Sequence, residues 1–122
     1  MTTKLTAEER LARALTETEF LGQVTSLAEI LGWQWAHFRP AQTSRGWRTP
    51  VQGPLGKGWP DLVLVREFRT MFVELKREQG HLDADQRVVL RALARGGNTT
   101  HVWRPSDLSD PIEESAIYEA LR

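Results

Sequence analysis

Three ionisable side chains near the middle of the chain could carry out chemistry together. Asp61 directly follows Pro60 at the start of one apolar run, and Glu74 and Lys76 lie at the end of a second run, residues 71–76. Residues two apart on a strand point to the same face, so Glu74 and Lys76 are expected to project together. If the two runs pair as neighbouring strands, Asp61 lies close to Glu74. Two adjacent carboxylates repel unless a proton or a cation separates them.

A carboxylate pair beside a lysine suits a divalent ion that acts on phosphate. Mg²⁺ takes oxygen ligands, keeps several waters and often needs only one or two carboxylates besides the substrate phosphate. Such an ion polarises a phosphodiester and lowers the pKa of a water, and Lys76 could position that water or stabilise charge on the phosphate. The plainer alternative is an edge-strand ion pair between Glu74 and Lys76 that contributes little. We favour a functional role because these charges interrupt a run that otherwise looks buried.

The elements that must position these residues follow from capping signals and from the spacing of apolar residues. Helices are predicted over about residues 7–15, 16–31, 84–95 and 111–121. Capping boxes open the first three of them: Thr6 with Glu9, Thr16 with Glu19, and Asp83 with Gln86. Strands are predicted at 33–39, 61–65, 71–76 and 100–104, the middle two in the interior of the sheet. The order α-α-β-β-β-α-β-α predicts an α/β domain with a mixed sheet flanked by helices.

Length and composition narrow the class of protein. A chain of 122 residues suits one compact domain. The absence of cysteine excludes disulfides and thiolate metal sites. There is no apolar run long enough to span a membrane and no apolar signal core near the start, so a cytoplasmic location is expected. The 16 basic and 16 acidic residues cancel.

The distribution of charge is more informative than its sum. No acidic residue lies between Glu29 and Asp61, while the same stretch contains four cationic residues, Arg39, Arg45, Arg48 and Lys57. Its many prolines and glycines predict that residues 41–60 form one long loop, and long loops in small domains are generally functional. A basic loop attracts phosphates, and Trp47 and Trp59 could stack on unpaired bases. Alternatively, the loop is merely solvated, and Trp59 anchors it to the core.

Together these residues resemble a known family. Pro60-Asp61 followed by Glu74-Leu75-Lys76 is similar to the PD-(D/E)XK nuclease signature. The run from Gly58 to Leu62, GWPDL, together with Gln86 in the following helix, resembles the small stand-alone VRR-NUC nucleases of phages and bacteria, which are related to archaeal Holliday-junction resolvases. The resemblance extends over about residues 16–105. It implies a restriction-endonuclease-like core, a Mg²⁺ or Mn²⁺ ion and hydrolysis of DNA phosphodiesters.

The resemblance also implies a role for each matching residue. Asp61 and Glu74 correspond to the metal-binding acids, together with the backbone carbonyl of Leu75; Lys76 corresponds to the catalytic lysine and Gln86 to the family glutamine. Family members place a further glutamate three residues before the first buried position of the first core helix. With Phe20 as that position, Glu17 is the match, acting on the metal directly or through a water, and Glu19 is the rival. The plainer role of Gln86 is to cap the helix with Asp83.

The function expected from the sequence is therefore a metal-dependent DNA endonuclease that prefers branched or replication-type DNA. Residues expected to contact DNA are Arg39, Arg45, Trp47, Arg48, Lys57 and Arg77. Symmetric cleavage of two strands would require a homodimer, as in the related resolvases. Residues 1–15 are expected to be a helical extension to a nuclease domain over 16–122. The alternatives are a DNA-binding module without activity and an adaptor that dimerises through its terminal helices.

Overall fold

The computed structural model describes residues 4–38, 41–44, 46–48 and 51–122. Its α-helices are α1 (Ala7–Ala14), α2 (Glu17–Ile30), α3 (Ala84–Arg95) and α4 (Ala116–Leu121). Its strands are β1 (Gln34–His37), β2 (Ala41–Thr43), β3 (Gly46–Arg48), β4 (Leu62–Arg66), β5 (Arg69–Leu75) and β6 (Thr99–Trp103). Two 3₁₀ turns, Pro105–Leu108 and Ile112–Glu114, precede α4. No helix in the described ranges is both long enough and apolar enough to cross a membrane.

Four strands form one mixed sheet in the order β1-β4-β5-β6. The β1–β4 and β4–β5 pairs are antiparallel, and β5–β6 is parallel, with α3 as the crossover. This confirms the predicted α/β class, a mixed sheet flanked by helices, and it is compatible with a restriction-endonuclease-like core. The strands next to the candidate residues, β4 and β5, are the two central ones, as predicted. Because α3 leads from β5 to β6, it begins near the end of β5.

The helix starts follow the predicted capping boxes. In each of the three boxes the N-cap side chain accepts a hydrogen bond from the N3 backbone, and the N3 side chain accepts one from the N-cap backbone. The predicted and observed bounds of α3 coincide, because both its start at Asp83 and its end at Gly96 are local signals. The first strand is shorter than predicted, and Arg39, its predicted last residue, lies outside the described residues.

The core fixes α2 across the two central strands. It joins apolar side chains of α2, β4, β5 and the C-terminal helix: Phe20, Val24, Ala28, Leu62, Leu64, Met71, Val73, Ile117 and Leu121. Trp33 closes one end, where its indole Nε1 donates a hydrogen bond to the backbone oxygen of Leu121 at 2.7 Å. Burial of this apolar surface holds β4 and β5 in place, so the residues at their ends have a rigid support.

The prediction that residues 41–60 form a single loop is wrong in its first part. Strands β2 and β3 pair there as an antiparallel hairpin, from Ala41 opposite Arg48 to Thr43 opposite Gly46. Gly46 has a φ of +94°, which only glycine adopts readily. The glycine therefore marks a turn between two short strands rather than an extended loop.

The predicted final helix over 111–121 is also shorter in the structure. Ser115 has an extended backbone, with φ of −75° and ψ of 154°, and its hydroxyl accepts a hydrogen bond from the backbone N–H of Tyr118. A serine in this conformation is an N-cap. It separates the 3₁₀ turn Ile112–Glu114 from α4, which begins only at Ala116.

Candidate active site

Asp61 and Glu74 meet at one end of the two central strands. Leu62 pairs with Val73, so the residues one step further along each strand, Asp61 and Glu74, face each other. The Oδ2 atom of Asp61 accepts a hydrogen bond from the backbone N–H of Leu75 at 3.0 Å. This confirms the predicted convergence. The Leu75 N–H is a partner that sequence reasoning missed, because only the strand register indicates it.

Glu74 is almost fully enclosed, with 2 % of its surface exposed. Its Oε1 accepts a hydrogen bond from Gln86 Nε2 at 3.1 Å and lies 3.8 Å from Lys76 Nζ. Its Oε2 is buried and accepts no hydrogen bond from the described residues, whereas a protonated Glu74 can share a hydrogen bond with Asp61. A buried polar atom left unpaired destabilises a fold by about 1–3 kcal/mol. The buried carboxyl of Glu74 therefore favours either a proton shared with Asp61 or a cation that binds oxygen.

The surroundings of Glu74 strongly disfavour its charged form. Burial, a side-chain hydrogen bond with Asp61 and the negative charge of Asp61 raise the pKa of Glu74 to about 9, and the positive charge of Lys76 opposes this only in part. At neutral pH Glu74 therefore holds a proton when no cation is bound. A cation that takes oxygen ligands would displace this proton, so its binding is coupled to pH.

Gln86 combines its capping role with a contact to the candidate site. Its Oε1 accepts a hydrogen bond from the backbone N–H of Asp83 at 3.0 Å, which completes the capping box. Its Nε2 donates to Glu74 Oε1. An amide side chain has a donor end and an acceptor end, so the two contacts do not compete. The helix cap thus fixes the group that orients Glu74.

Lys76 is held close to the acids by its backbone and its surroundings. Its N–H donates to the backbone oxygen of Trp103 at 3.0 Å, which extends the β5–β6 ladder by one residue. Its side chain is 14 % exposed and shares a face with Glu74, as the strand period predicted. Because β5 is a central strand, the alternative of an edge-strand ion pair does not apply.

The donor set fits a hard divalent cation. Asp61 and Glu74 supply carboxylate oxygens, and when Glu74 is charged its buried Oε2 accepts no hydrogen bond from the described residues. No group of three or more His, Cys, Asp or Glu side chains able to hold a metal occurs in the described ranges. Two carboxylates suffice for Mg²⁺, which keeps several waters. The backbone carbonyl of Leu75 stays a predicted third ligand.

The two glutamates at the start of α2 differ in their roles. Glu19 is engaged in the capping box, and its hydrogen bonds with Thr16 lower its pKa. Glu17 is exposed in the first turn of the helix. It does not form a three-acid group with Asp61 and Glu74 in the described structure. Its role through a water stays a prediction.

The residues predicted to contact DNA are only partly described. Arg39 and Arg45 lie outside the described residues, and so do the side chains of Trp47 and Arg48. Lys57 is exposed, and its Nζ lies 3.5 Å from Asp85 Oδ2 at the start of α3. Arg77 is exposed immediately after Lys76. Lys57 and Arg77 are therefore both accessible to a ligand.

Trp59 anchors the segment that leads into Asp61. Its ring packs edge-on against Phe38 at 6.0 Å and Phe72 at 5.7 Å between centroids. Of the two roles considered for this residue, the structure supports the anchor. Gly58 lies directly against α3, because a Cβ on it would come within 2.5 Å of the Asp85 backbone. The segment is thus fitted between the sheet and the start of α3.

Gly58→Ala is expected to destabilise the protein and disturb the site. Gly58 has a φ of +99°, and an added Cβ would also strike the backbone of Asp85 and Gln86. Gly53→Ala is the matched control, since Gly53 has a φ of +95° but open space around it. The left-handed backbone costs about 1–2 kcal/mol in either variant. Thermal unfolding should show a clearly larger loss of Tm for Gly58→Ala, and equal losses would contradict this packing.

No family model matches the chain, and no curated protein matches it. The relation to VRR-NUC nucleases therefore stays a resemblance carried by the motif residues.

Proposed function

We propose that this protein is a metal-dependent DNA endonuclease that acts on branched or replication-type DNA. The observation that carries the proposal is the buried carboxyl of Glu74, which lies against the Asp61 carboxyl and beside Lys76, so that a proton or a cation must separate the two acids. A protein that only binds DNA gains nothing from a second carboxylate, Asp61, beside the buried carboxyl of Glu74. A strongly raised pKa from burial and a like charge is typical of functional sites.

The chain would hold both acids in position before substrate arrives. The Leu75 N–H orients Asp61, and Gln86 orients Glu74. These carboxylates would hold a Mg²⁺ or Mn²⁺ ion, which would supply Lewis-acid activation of the phosphodiester and a more acidic water. Glu74 must release its proton for this to occur, and the fixed hydrogen bonds keep its ligand geometry when it does.

Lys76 provides the positive charge for the reacting phosphate. Its ammonium carries three donors, and it lies 3.8 Å from Glu74 Oε1 with little exposure to solvent. In this position it can donate to a water or to a phosphate oxygen on which charge develops. One such site cuts one strand, so symmetric cleavage of two strands requires a two-fold dimer with a site in each chain.

The proposal is tested with a panel of four-way, forked, flapped and linear DNAs, each incubated with Mg²⁺, Mn²⁺ or EDTA. At least one branched DNA should be cut with a metal and none in EDTA. Lys76→Ala should be at least about 10²-fold slower, while Lys4→Ala, which removes an exposed lysine elsewhere, should match the unmodified protein.

Three outcomes would reject the endonuclease as proposed. Salt-sensitive binding of DNA without product under any metal would identify a DNA-binding module instead. No binding even at low salt would identify an adaptor. Activity that survives Lys76→Ala unchanged would place the chemistry elsewhere in the chain.

A further inference from the structure

Helix α3 presents a row of three arginines along one side. Arg87, Arg91 and Arg95 are spaced four residues apart, which places them on neighbouring turns. All three are exposed. None takes part in the ion pairs found among the described residues. We call these three residues the arginine row.

Beyond the capping turn, which contains Asp83 and Asp85, the chain around the arginine row carries no negative charge. Residues 86–106 contain four arginines, one histidine and no acid. Strand β6 lies beside α3, and a shallow groove of about 400 Å³ runs between them. Arg87 and Arg91 line one side of this groove, and Thr100 and His101 line the other. The result is a concave surface with cationic groups on one wall and hydrogen-bonding groups on the other.

Helix electrostatics do not account for the arginine row. Arg95 lies in the last turn of α3, where a cation interacts favourably with the helix dipole. Arg87 lies near the start of the helix, at its positive end, where a cation is unfavourable. Like charges four residues apart also destabilise a helix. The charges of the row are therefore electrostatically unfavourable at the start of the helix, and a polyanion bound to it would offset that effect.

We propose that the arginine row binds the phosphate backbone of a DNA duplex that flanks the cleavage point. This inference rests on the proposed function. Gln86, which contacts Glu74, immediately precedes Arg87, so the row begins beside the candidate site and leads away from it. Eight residues of helix extend about 12 Å. Because each strand of B-DNA carries a phosphate about every 3.4 Å along the axis, the row spans about three or four phosphates.

The test measures how DNA affinity depends on salt. The triple variant Arg87→Gln, Arg91→Gln, Arg95→Gln is compared with Lys4→Gln, Arg10→Gln, Arg13→Gln, which removes the same charge from exposed positions in and near α1. Binding to a duplex of about 30 base pairs, roughly three turns of B-DNA, and to a forked DNA is followed by fluorescence anisotropy in EDTA, so that no cleavage occurs. Each phosphate contact contributes about 0.9 to the slope of log affinity against log salt.

The triple variant should lose about 2–3 from that slope, while the α1 control should keep the slope of the unmodified protein. Should the triple variant fail to fold, Arg91→Gln alone should lose about 0.9. An unchanged slope in the triple variant would overturn the proposed role of the arginine row. An equal loss of slope in the α1 control, or an absence of DNA binding by the unmodified protein at low salt, would overturn it too.

The inference and the proposed function can fail separately. If the unmodified protein cuts no DNA but its salt slope depends on the three arginines, the DNA-binding role of the arginine row is supported and the proposed endonuclease is rejected. If the unmodified protein cuts DNA but the three substitutions leave the salt slope unchanged, the proposed endonuclease is supported and the DNA-binding role of the arginine row is rejected.

Discussion

Asp61→Asn and Glu74→Gln are each expected to slow metal-dependent DNA cleavage by about 10³-fold or more. Either substitution removes a charged ligand oxygen while keeping the shape of the side chain. The amide introduced at position 61 can still accept the hydrogen bond from the Leu75 N–H, and the amide introduced at position 74 can still accept the one from Gln86, so the fold should persist. A loss of about 4 kcal/mol of transition-state stabilisation corresponds to this factor.

Single-turnover cleavage of the best branched substrate measures the effect. Asp83→Asn is the matched control, because it removes a carboxylate from the same region and asparagine is an equally good N-cap. Its rate should stay within about threefold of the unmodified protein. If either acid variant cuts as fast as the unmodified protein, Asp61 and Glu74 do not carry the reaction.

The metal-free protein should become less stable as the pH rises from about 4.5 to about 9. The pKa of Glu74 is raised to about 9 in the folded state from an ordinary value of 4.5. Between these values the folded chain binds one proton more than the unfolded chain, so each rise in pH favours unfolding. The contribution is present in full below pH 4.5, and its loss approaches about 1.4 kcal/mol per pH unit at most.

Urea unfolding in EDTA at several pH values measures this dependence. Glu74→Gln carries no titrating group, so this variant should lack the decline and exceed the unmodified protein in stability at about pH 8, where most of the loss has occurred. Glu8→Gln, at an exposed position of α1, should follow the unmodified protein. Parallel pH profiles for Glu74→Gln and the unmodified protein would show that Glu74 is not held protonated.

The parts of the fold that depend on local signals are predictable from the sequence. Helix α3 agrees at both ends because Asp83, Gln86 and Gly96 each act on backbone groups within a few residues. The β2–β3 hairpin could not be predicted from the sequence. Its two strands have three residues each, which is too short to show the alternation of polar and apolar residues that identifies a strand. The start of α4 could not be predicted from the sequence. Ser115 marks a helix start only because its backbone is extended, and the sequence does not show that conformation.

The candidate site also has a part that the sequence predicts and a part that it does not. The strand period alone places Glu74 and Lys76 together, and the pairing of β4 with β5 is enough to bring in Asp61. The depth of burial of Glu74 and the unpaired Oε2 depend on how α3 and the sheet pack, which no local pattern indicates. The three arginines and the acid-free stretch around them can be found in the sequence. The spacing of apolar residues in α3, however, identifies only the buried side of the helix.

Calorimetric titration of the whole chain with Mn²⁺ tests the central claim most directly, because it needs neither DNA nor activity. We predict one site per chain, tighter at about pH 8 than at about pH 6, with release of a proton on binding. Asp61→Asn and Glu74→Gln should each weaken binding by at least about tenfold, and Asp83→Asn should not. Equal Mn²⁺ binding by the unmodified protein and both acid variants would contradict a metal site at these two carboxylates.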